Sequence, residues 1–308
     1  MIFLDKNENP FDIPEKIKYE FIDRLKGLSF NRYPERELPN LLEALEDFTG
    51  FDRKNLIAGN GSDELLERII ANSNSLLISS PTFEMYSFYA NNYNKKLIDI
   101  PLKNDFSIDA EKIIESGAET VIICSPNNPT GNLQNIEDIK IILDSGKNVV
   151  IDNAYYEFSG YDYKRLVDEY DNLILLRTFS KAFSMAGLRI GYGMSKSKIL
   201  DDIKNRQPPF YMNILSEAIV KIAIDNYKLI EERINYIIRE RDRVYKEISN
   251  ISFKSDANFL LLKKDLYDYM MKNNVMIRKL PLMPGYSRIT IGRDDENNQA
   301  IKLIKNIK

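Results

Sequence analysis

The sequence predicts an α/β protein with a mostly parallel central sheet flanked by helices, followed by a smaller α+β C-terminal domain. The first observation is that short, continuous apolar runs alternate with segments of helical spacing between about residues 55 and 195. Continuous apolar strands separated by helices indicate a sheet buried on both faces, which is typical of parallel sheets. The second observation is a change of character after residue 207, where this alternation stops.

Five apolar runs define the alternating region, and three helix-patterned segments separate some of them. Each run taken alone is also compatible with a buried helix segment, but five in this rhythm favour strands. The runs are residues 76–78, 121–123, 149–151, 173–176 and 190–192, and the helical segments are 63–71, 84–93 and 136–143.

The C-terminal part begins with residues 213–249, which contain neither Gly nor Pro and predict one long helix. Strand-like pieces follow at 258–262, 276–278 and 288–291, with a helical segment at 266–273. We predict an N-terminal segment (1–30) that packs near the small domain, a large domain (31–212), and a long helix with a small C-terminal domain (213–308).

The composition excludes several kinds of chemistry. The 308 residues carry 43 Lys and Arg against 46 Asp and Glu, with one Cys and no His. This balance argues against a polyanion-binding face, and one Cys excludes a disulfide framework. Without His there is no imidazole catalyst and no His-bound metal, so we expect no metal site. Proton transfers must therefore use Lys, Asp, Glu, Tyr or a cofactor.

Asp5 and Lys6 interrupt the apolar start of the chain, so we expect no targeting signal in the first residues. The longest apolar stretches are too short to cross a bilayer. We expect a cytoplasmic protein.

Three strings follow predicted strands, where ligands of open α/β sheets bind. The first opens a predicted helix and suits an anion, although taken alone it is more often an ordinary helix N-cap. The second string forms either a rigid turn or a loop whose Asn amide contacts a ligand. In the third string an Asp closes an apolar strand, where its burial is costly unless it has a cationic partner; the alternative is that it caps a helix. The strings are Gly59-Asn60-Gly61-Ser62-Asp63-Glu64, Ser125-Pro126-Asn127-Asn128-Pro129-Thr130-Gly131 and Val149-Val150-Ile151-Asp152-Asn153-Ala154-Tyr155.

The fourth string, residues 177–192, places one lysine among small, hydroxyl and apolar residues. In such surroundings the Lys181 amine can have a lowered pKa and act as a nucleophile. Thr178, Ser180 and Arg189 carry donors suited to a phosphate.

Together these strings resemble the fold-type-I pyridoxal-phosphate aminotransferases, and within them the histidinol-phosphate aminotransferases. The resemblance covers nearly the whole chain and implies the fold-type-I fold. It also implies pyridoxal 5′-phosphate as cofactor and amino transfer between L-histidinol phosphate and 2-oxoglutarate in histidine biosynthesis. Further strings in the family's order are Leu4-Asp5-Lys6-Asn7-Glu8-Asn9-Pro10, Arg32-Tyr33-Pro34, Ser80-Pro81-Thr82-Phe83 with Met85-Tyr86, Asp256-Ala257-Asn258-Phe259 and Arg288-Ile289-Thr290-Ile291-Gly292.

The resemblance also implies a role for each matching residue. Lys181 is the implied Schiff-base lysine, and Asp152 is the implied partner of the pyridinium nitrogen. The remaining implied roles are contacts to the ring's phenolic oxygen by Tyr155 and Asn128, stacking on the ring by Phe83, and phosphate binding by the backbone of Ser62 and Asp63 with Thr178, Ser180 and Arg189. Tyr33 is implied to reach the same phosphate from the partner subunit of a homodimer. The implied substrate-binding residues are Asn9, Arg278 and Arg288.

Some features depart from the family pattern. Asn153 replaces a usual acidic residue, and the segment between Arg278 and Arg288 is short. These departures bear on the substrate more than on the reaction. The alternatives are threonine-phosphate decarboxylase, an aromatic or broad-specificity aminotransferase of the same family, and a cofactor-binding module without turnover. A nucleotide-binding Rossmann protein is disfavoured because residues 59–64 lack the Gly-x-Gly-x-x-Gly spacing.

Overall fold

The computed structural model describes residues 1–36 and 38–307. Strands of three to six residues recur along nearly the whole of this chain. They are β1 (Ile2–Leu4), β2 (Leu56–Asn60), β3 (Ser75–Ile78), β4 (Lys96–Asp99), β5 (Thr120–Cys124), β6 (Asn148–Asp152), β7 (Leu173–Thr178), β8 (Ile190–Met194), β9 (Phe259–Leu262), β10 (Val275–Lys279) and β11 (Ser287–Thr290).

Helices connect these strands and cover both sheets. They are α1 (Glu15–Leu25), α2 (Pro39–Thr49), α3 (Gly61–Asn72), α4 (Met85–Asn92), α5 (Ala110–Glu115), α6 (Ile136–Asp144), α7 (Tyr156–Ser159), α8 (Lys164–Glu169), α9 (Lys198–Asn205), α10 (Ile214–Asp225), α11 (Tyr227–Glu247), α12 (Tyr267–Lys272) and α13 (Asp294–Lys305). Short 3₁₀ turns lie at Arg53–Asn55 and Ala186–Leu188.

The larger sheet has seven strands in the order β2-β8-β7-β6-β5-β3-β4. All neighbouring pairs are parallel except those of β8, which runs antiparallel to both β2 and β7. Val121 and Ile123 pack in one buried core and Ile122 packs in another, so β5 is covered on both faces. The predicted α/β class with a mostly parallel sheet is therefore confirmed. The carboxyl ends of β5, β6 and β7 meet at one edge of the sheet.

A second sheet has four strands in the order β1-β10-β11-β9. The N-terminal strand β1 runs parallel to β10, pairing Ile2 with Val275. Strands β10 and β11 are antiparallel, and their register sets Arg278 opposite Arg288. The exact division at residues 30 and 212 stays a prediction.

The stretch 213–249 differs from the prediction of one long helix, because α10 ends at Asp225 and α11 begins at Tyr227. Between them Asn226 leaves the helical conformation, with φ −108° and ψ 23°. Its side-chain amide donates to the carbonyl of Ile222 and to the carboxylate of Glu20. Asn competes in this way for backbone groups, and this interrupts a helix without Gly or Pro.

Among the helices that the structure describes, none has both the length and the apolar character needed to cross a membrane.

Candidate active site

A cleft of about 960 Å³ opens at the carboxyl ends of the central strands. Residues from both sheets line it, so the N-terminal segment and the C-terminal sheet complete a site that the larger sheet begins. Twelve of the fourteen predicted site residues line this cleft: Ser62, Asp63, Phe83, Asn128, Asp152, Tyr155, Thr178, Ser180, Lys181, Arg189, Arg278 and Arg288.

Lys181 follows β7 in a tight loop that places its amine in the cleft. Its Nζ donates to the carbonyl of Lys6 at 3.1 Å and lies 5.9 Å from the centre of the Tyr155 ring. Loss of solvation, together with the positive charge of Arg288, lowers the pKa of the Lys181 amine to about 8. Near neutral pH, a far larger fraction of this amine is unprotonated than of a surface lysine. It can therefore act as a nucleophile and as a base.

Asp152 ends β6 and is only 4% exposed. Its partner is not a cation but the phenol of Tyr86, which donates to Oδ2 at 2.7 Å. The other oxygen, Oδ1, is buried and has no hydrogen-bond partner in the described part of the chain. Burial raises the pKa of the Asp152 carboxyl to about 6, and the hydrogen bond from Tyr86 opposes this rise. A buried carboxylate with one unsatisfied oxygen is suited to a cationic N–H donor.

A cup of polar groups lies at the N-terminal end of α3, where Ser62 and Asp63 form the first turn. Arg189 Nη2 lies 2.9 Å from Asp63 Oδ2, and Arg189 Nη1 lies 3.4 Å from Ser180 Oγ. The hydroxyl of Thr178 accepts from the Ser180 amide at 3.1 Å and donates to the Ser180 hydroxyl at 2.9 Å. Helix N-terminal amides, hydroxyls and a guanidinium together favour a phosphate.

Two glycines bring the backbone close enough to build this cup. A Cβ on Gly191 would lie 2.1 Å from the amide nitrogen of Ser62, so only glycine allows β8 to pass the start of α3. Gly61 has φ +77°, and a Cβ there would lie 2.5 Å from Arg189 Nη2. The turn before α3 is therefore built for close backbone approach, not only for capping the helix.

Tyr155 carries its phenol into the cleft, where Asn7 fixes it. The Asn7 side-chain amide donates to Tyr155 Oη at 3.0 Å. Asn7 is itself held by Thr290, whose Oγ1 accepts from the Asn7 backbone amide at 2.9 Å, and by the side chain of Asn258. Burial raises the pKa of the Tyr155 phenol, so it remains protonated and able to donate.

Arg288 is the buried cation of the cleft. Its guanidinium donates to the carbonyl of Asp5 at 2.7 Å and to the side-chain oxygen of Asn128, and it lies over the Phe259 ring at 5.2 Å. Burial lowers the pKa of Arg288 to about 10, so the group stays charged at neutral pH. Its Nε is buried and has no hydrogen-bond partner among the described residues, which leaves a donor for an anion.

Arg278 lies at the mouth of the cleft and pairs with Glu84 through Nη2 and Oε1 at 2.5 Å. Both side chains are well exposed, so the pair is weak and easily exchanged for another anion. Phe83 also lines the cleft, and its ring meets that of Tyr86 edge to face at 5.6 Å.

Tyr33 and Asn9 do not line the cleft. Tyr33 is 80% exposed and stacks on Phe210 with ring centres 4.7 Å apart. Asn9 donates its side-chain amide to the carbonyls of Lys181 and Ala182 at 3.3 and 3.1 Å. In this structure Asn9 therefore steadies the loop of Lys181, and the nearby Asn7 of the same N-terminal string enters the cleft.

Asn7 and Tyr86 were not predicted as site residues, although both belong to strings that carry the resemblance. In the sequence, Tyr86 looks like any aromatic residue that fills a core next to a helix. In the structure it is fully buried, as such a residue would be. Among the described residues, no group of three or more Cys, Asp or Glu side chains converges as a metal site.

The fold and this site define a member of the aminotransferase class I and II family, which the chain matches over residues 1–304. It is 44% identical over 99% of its length to the histidinol-phosphate aminotransferase of Pyrococcus furiosus, covering 91% of that protein. It is 43% identical over its whole length to the enzyme of the same name from Thermococcus kodakarensis, covering 93% of that protein.

Among solved structures, the histidinol-phosphate aminotransferase of Clostridium acetobutylicum superposes with a TM-score of 0.92. It shares 27% identity, and the match covers 99% of this chain and 98% of that one. A second such enzyme, from Sinorhizobium meliloti in complex with pyridoxal 5′-phosphate, has a TM-score of 0.89 at 21% identity and covers 91% of that chain. The predicted fold class and family are therefore confirmed.

Proposed function

We propose that this protein transfers an amino group between L-histidinol phosphate and 2-oxoglutarate, giving imidazole acetol phosphate and L-glutamate, with pyridoxal 5′-phosphate as cofactor. The observation that carries the proposal is the Lys181 amine, with its lowered pKa, in one cleft with the unsatisfied carboxylate oxygen of Asp152. The choice of substrate rests on three relatives that are 41–44% identical to this chain over nearly its whole length. All three are named histidinol-phosphate aminotransferase.

The residues of the cleft fit the cofactor. The cup at the start of α3 has the amides, hydroxyls and guanidinium that a phosphate requires, and we assign Ser62, Asp63, Thr178, Ser180 and Arg189 to it. The orphaned oxygen of Asp152 matches a protonated ring nitrogen. We assign Phe83 to one face of the ring. Tyr155 and Asn128 are assigned to its phenolic oxygen.

Pyridoxal phosphate, when bound, supplies the electron sink that stabilises negative charge at the substrate Cα. Lys181 would hold the cofactor through its amine, and, once the substrate amine has displaced it, the free Lys181 amine would carry the proton taken from the substrate Cα. Asp152, in its ionised form, would accept from the ring nitrogen through its free oxygen and would favour the protonated state of that nitrogen. The protein thus needs no histidine, because a lysine carries the proton.

The cations of the cleft support an anionic substrate. We assign Arg288 to the carboxylate of 2-oxoglutarate and to the phosphate of the amino donor, through its free Nε. Arg278 assists at the mouth, where the donor's phosphate replaces Glu84 as its partner. Asn9 lies outside the cleft and contributes indirectly, because its side-chain amide fixes the backbone of Lys181.

The active form in our proposal is a homodimer. The exposed Tyr33, already ordered against Phe210, extends to the cofactor phosphate of the partner subunit. A mixed dimer of a Y33F subunit and a K181A subunit tests this arrangement, because the Y33F subunit keeps Lys181 and receives Tyr33 from its partner, whereas the cleft of the K181A subunit lacks both groups. Only clefts with both groups intact are expected to turn over, and a fully monomeric active enzyme contradicts the proposal.

The substrate is tested by steady-state kinetics with histidinol phosphate, histidinol, phenylalanine, tyrosine and threonine phosphate as amino donors. We expect preference for histidinol phosphate, dependence on its phosphate, and consumption of 2-oxoglutarate in equal amount. Release of carbon dioxide from threonine phosphate without 2-oxoglutarate identifies the decarboxylase instead. Equal turnover of aromatic amino acids identifies a broad-specificity enzyme. Borohydride reduction followed by peptide mapping is expected to place a pyridoxyl group on Lys181.

A further inference from the structure

Asp152 has one partnered and one unpartnered oxygen, and this asymmetry is set by Tyr86. The Tyr86 hydroxyl donates to Oδ2 at 2.7 Å, while Oδ1 has no partner in the described part of the chain. Tyr86 is fully buried, so water does not compete for its hydroxyl. A hydrogen bond from a buried phenol to a carboxylate is charge-assisted and about twice as strong as one between neutral groups.

We propose that Tyr86 is a positioning residue that fixes the Asp152 carboxylate in its charged form and aims its free oxygen at the cofactor ring nitrogen. This inference rests on the proposed function, since it concerns the same cofactor. Tyr86 acts through Asp152 and does not touch the reacting atoms.

The first turn of α4 gives Tyr86 a fixed place. The Tyr86 backbone amide donates to the carbonyl of Phe83 at 3.2 Å, and the two rings meet edge to face. One short segment therefore carries both the ring assigned to stack on the cofactor and the phenol that holds Asp152. Any shift of this segment moves both contacts together.

The surroundings of Asp152 show why such a donor is needed. Cys124 lies directly opposite Asp152 in the register of β5 and β6 and is buried, so the neighbouring strand offers no charge. The carboxylate of Asp63 on α3 disfavours the charged form of Asp152, whereas the backbone amide of Ala154 and, more weakly, the amine of Lys181 favour it. The strongest group favouring the charged form is the hydroxyl of Tyr86. Without it, we expect Asp152 to be protonated over much of the neutral range.

Tyr86→Phe keeps the buried ring and removes only the hydroxyl. The matched control is Tyr93→Phe, because Tyr93 at the end of the same helix also donates to a carboxylate, Glu67 Oε1, at 2.7 Å but lies outside the cleft. Each variant is freed of cofactor, titrated with pyridoxal phosphate, and followed by absorbance across pH. The Y86F change is also made in a D152N background.

We expect Y86F to weaken cofactor binding about tenfold and to move the acid limb of kcat/KM upward by about one pH unit. KM for the amino donor should change little, and Y93F should match the wild type. Tm of the cofactor-free Y86F protein should fall by only a few degrees, because one buried hydrogen bond is lost while the ring stays in place. In the D152N background, Y86F should add no further loss, because both changes act on one interaction.

The inference is overturned if Y86F binds pyridoxal phosphate like the wild type with an unshifted pH profile. Losses that add fully to those of D152N also overturn it, since they reveal a structural role independent of the carboxylate. If the wild-type protein takes up no pyridoxal phosphate, the proposed function itself fails, and that result is read from the control before any variant is compared.

Discussion

Gly191→Ala is the sharpest test of how the phosphate cup is built. The added Cβ would lie 2.1 Å from the amide nitrogen of Ser62 and 2.3 Å from the carbonyl carbon of Gly61. An ordinary contact requires about 3.5 Å, so the start of α3 must move away from β8 by more than about 1 Å. The neighbours are backbone atoms and cannot rotate away. Gly191 has no left-handed conformation, so the close contact is the only obstacle to alanine.

Two effects of known size follow. Overpacking of this kind costs about 1–3 kcal/mol of unfolding free energy. Displacing the helix N-terminus also misplaces at least one charge-assisted hydrogen bond to the phosphate, which weakens cofactor binding by about 10- to 100-fold. Both effects act on the same few atoms, so stability and cofactor affinity should fall together.

The assay measures the Tm of the cofactor-free protein and the dissociation constant for pyridoxal phosphate by absorbance titration. Gly187→Ala is the control, because a Cβ on Gly187 meets no heavy atom within 4 Å. We expect the control to match the wild type in both measurements. A G191A protein that binds the cofactor with wild-type affinity would refute the assignment of the cup.

The remaining predictions concern single groups of the cleft. The pKa of Lys181 is lowered from 10.5 to about 8, so the folded protein binds fewer protons than the unfolded chain between these values and wild-type stability rises with pH across that window. Cofactor-free K181M should thus be more stable than the wild type at pH 7 by about 1–3 kcal/mol, and this gain should disappear near pH 11; equal Tm at pH 7 contradicts the charge argument. R278Q should raise KM for histidinol phosphate by about two- to fivefold without affecting histidinol, whereas E84Q should strengthen inhibition by inorganic phosphate; an equal effect of R278Q on both donors argues against a phosphate contact. N7A removes the donor to Tyr155 and should lower kcat about tenfold, and wild-type kcat in this variant would exclude a role for that hydrogen bond.

The strands were predictable where burial leaves a continuous apolar run, and not elsewhere. The run at 121–123 lies inside β5, and the run at 173–176 lies inside β7. Strand β4 lies at the edge of the sheet with both ends exposed, so it carries no such run and was not predicted. The direction of β8 was equally hidden, because an apolar run reads the same in a parallel and an antiparallel strand.

The site residues divide in the same way. Lys181 is marked in the sequence because its neighbours differ from those of other lysines, and Asp152 is marked because it closes an apolar strand. For Asp152 the sequence left a cationic partner and a helix N-cap role open; the structure adds a donor that neither reading named, the phenol of Tyr86, 66 residues away, and the contact to the ring nitrogen stays a prediction. Nothing in the local sequence of α4 separates this buried tyrosine from one that only fills the core.

The sequence by itself determined the α/β class, and it singled out Lys181 by its neighbours. It also limited the possible proton carriers, because the chain contains no histidine. Residue type and spacing carry this information, because the apolar pattern and the backbone preference of a segment are local properties of its sequence. Only the tertiary structure decided that Asn7 enters the cleft in place of Asn9, and that Gly191 passes Ser62 at backbone contact. These contacts join distant segments, such as Asn7 and Thr290 across 283 residues, and packing of the whole chain sets which atoms meet.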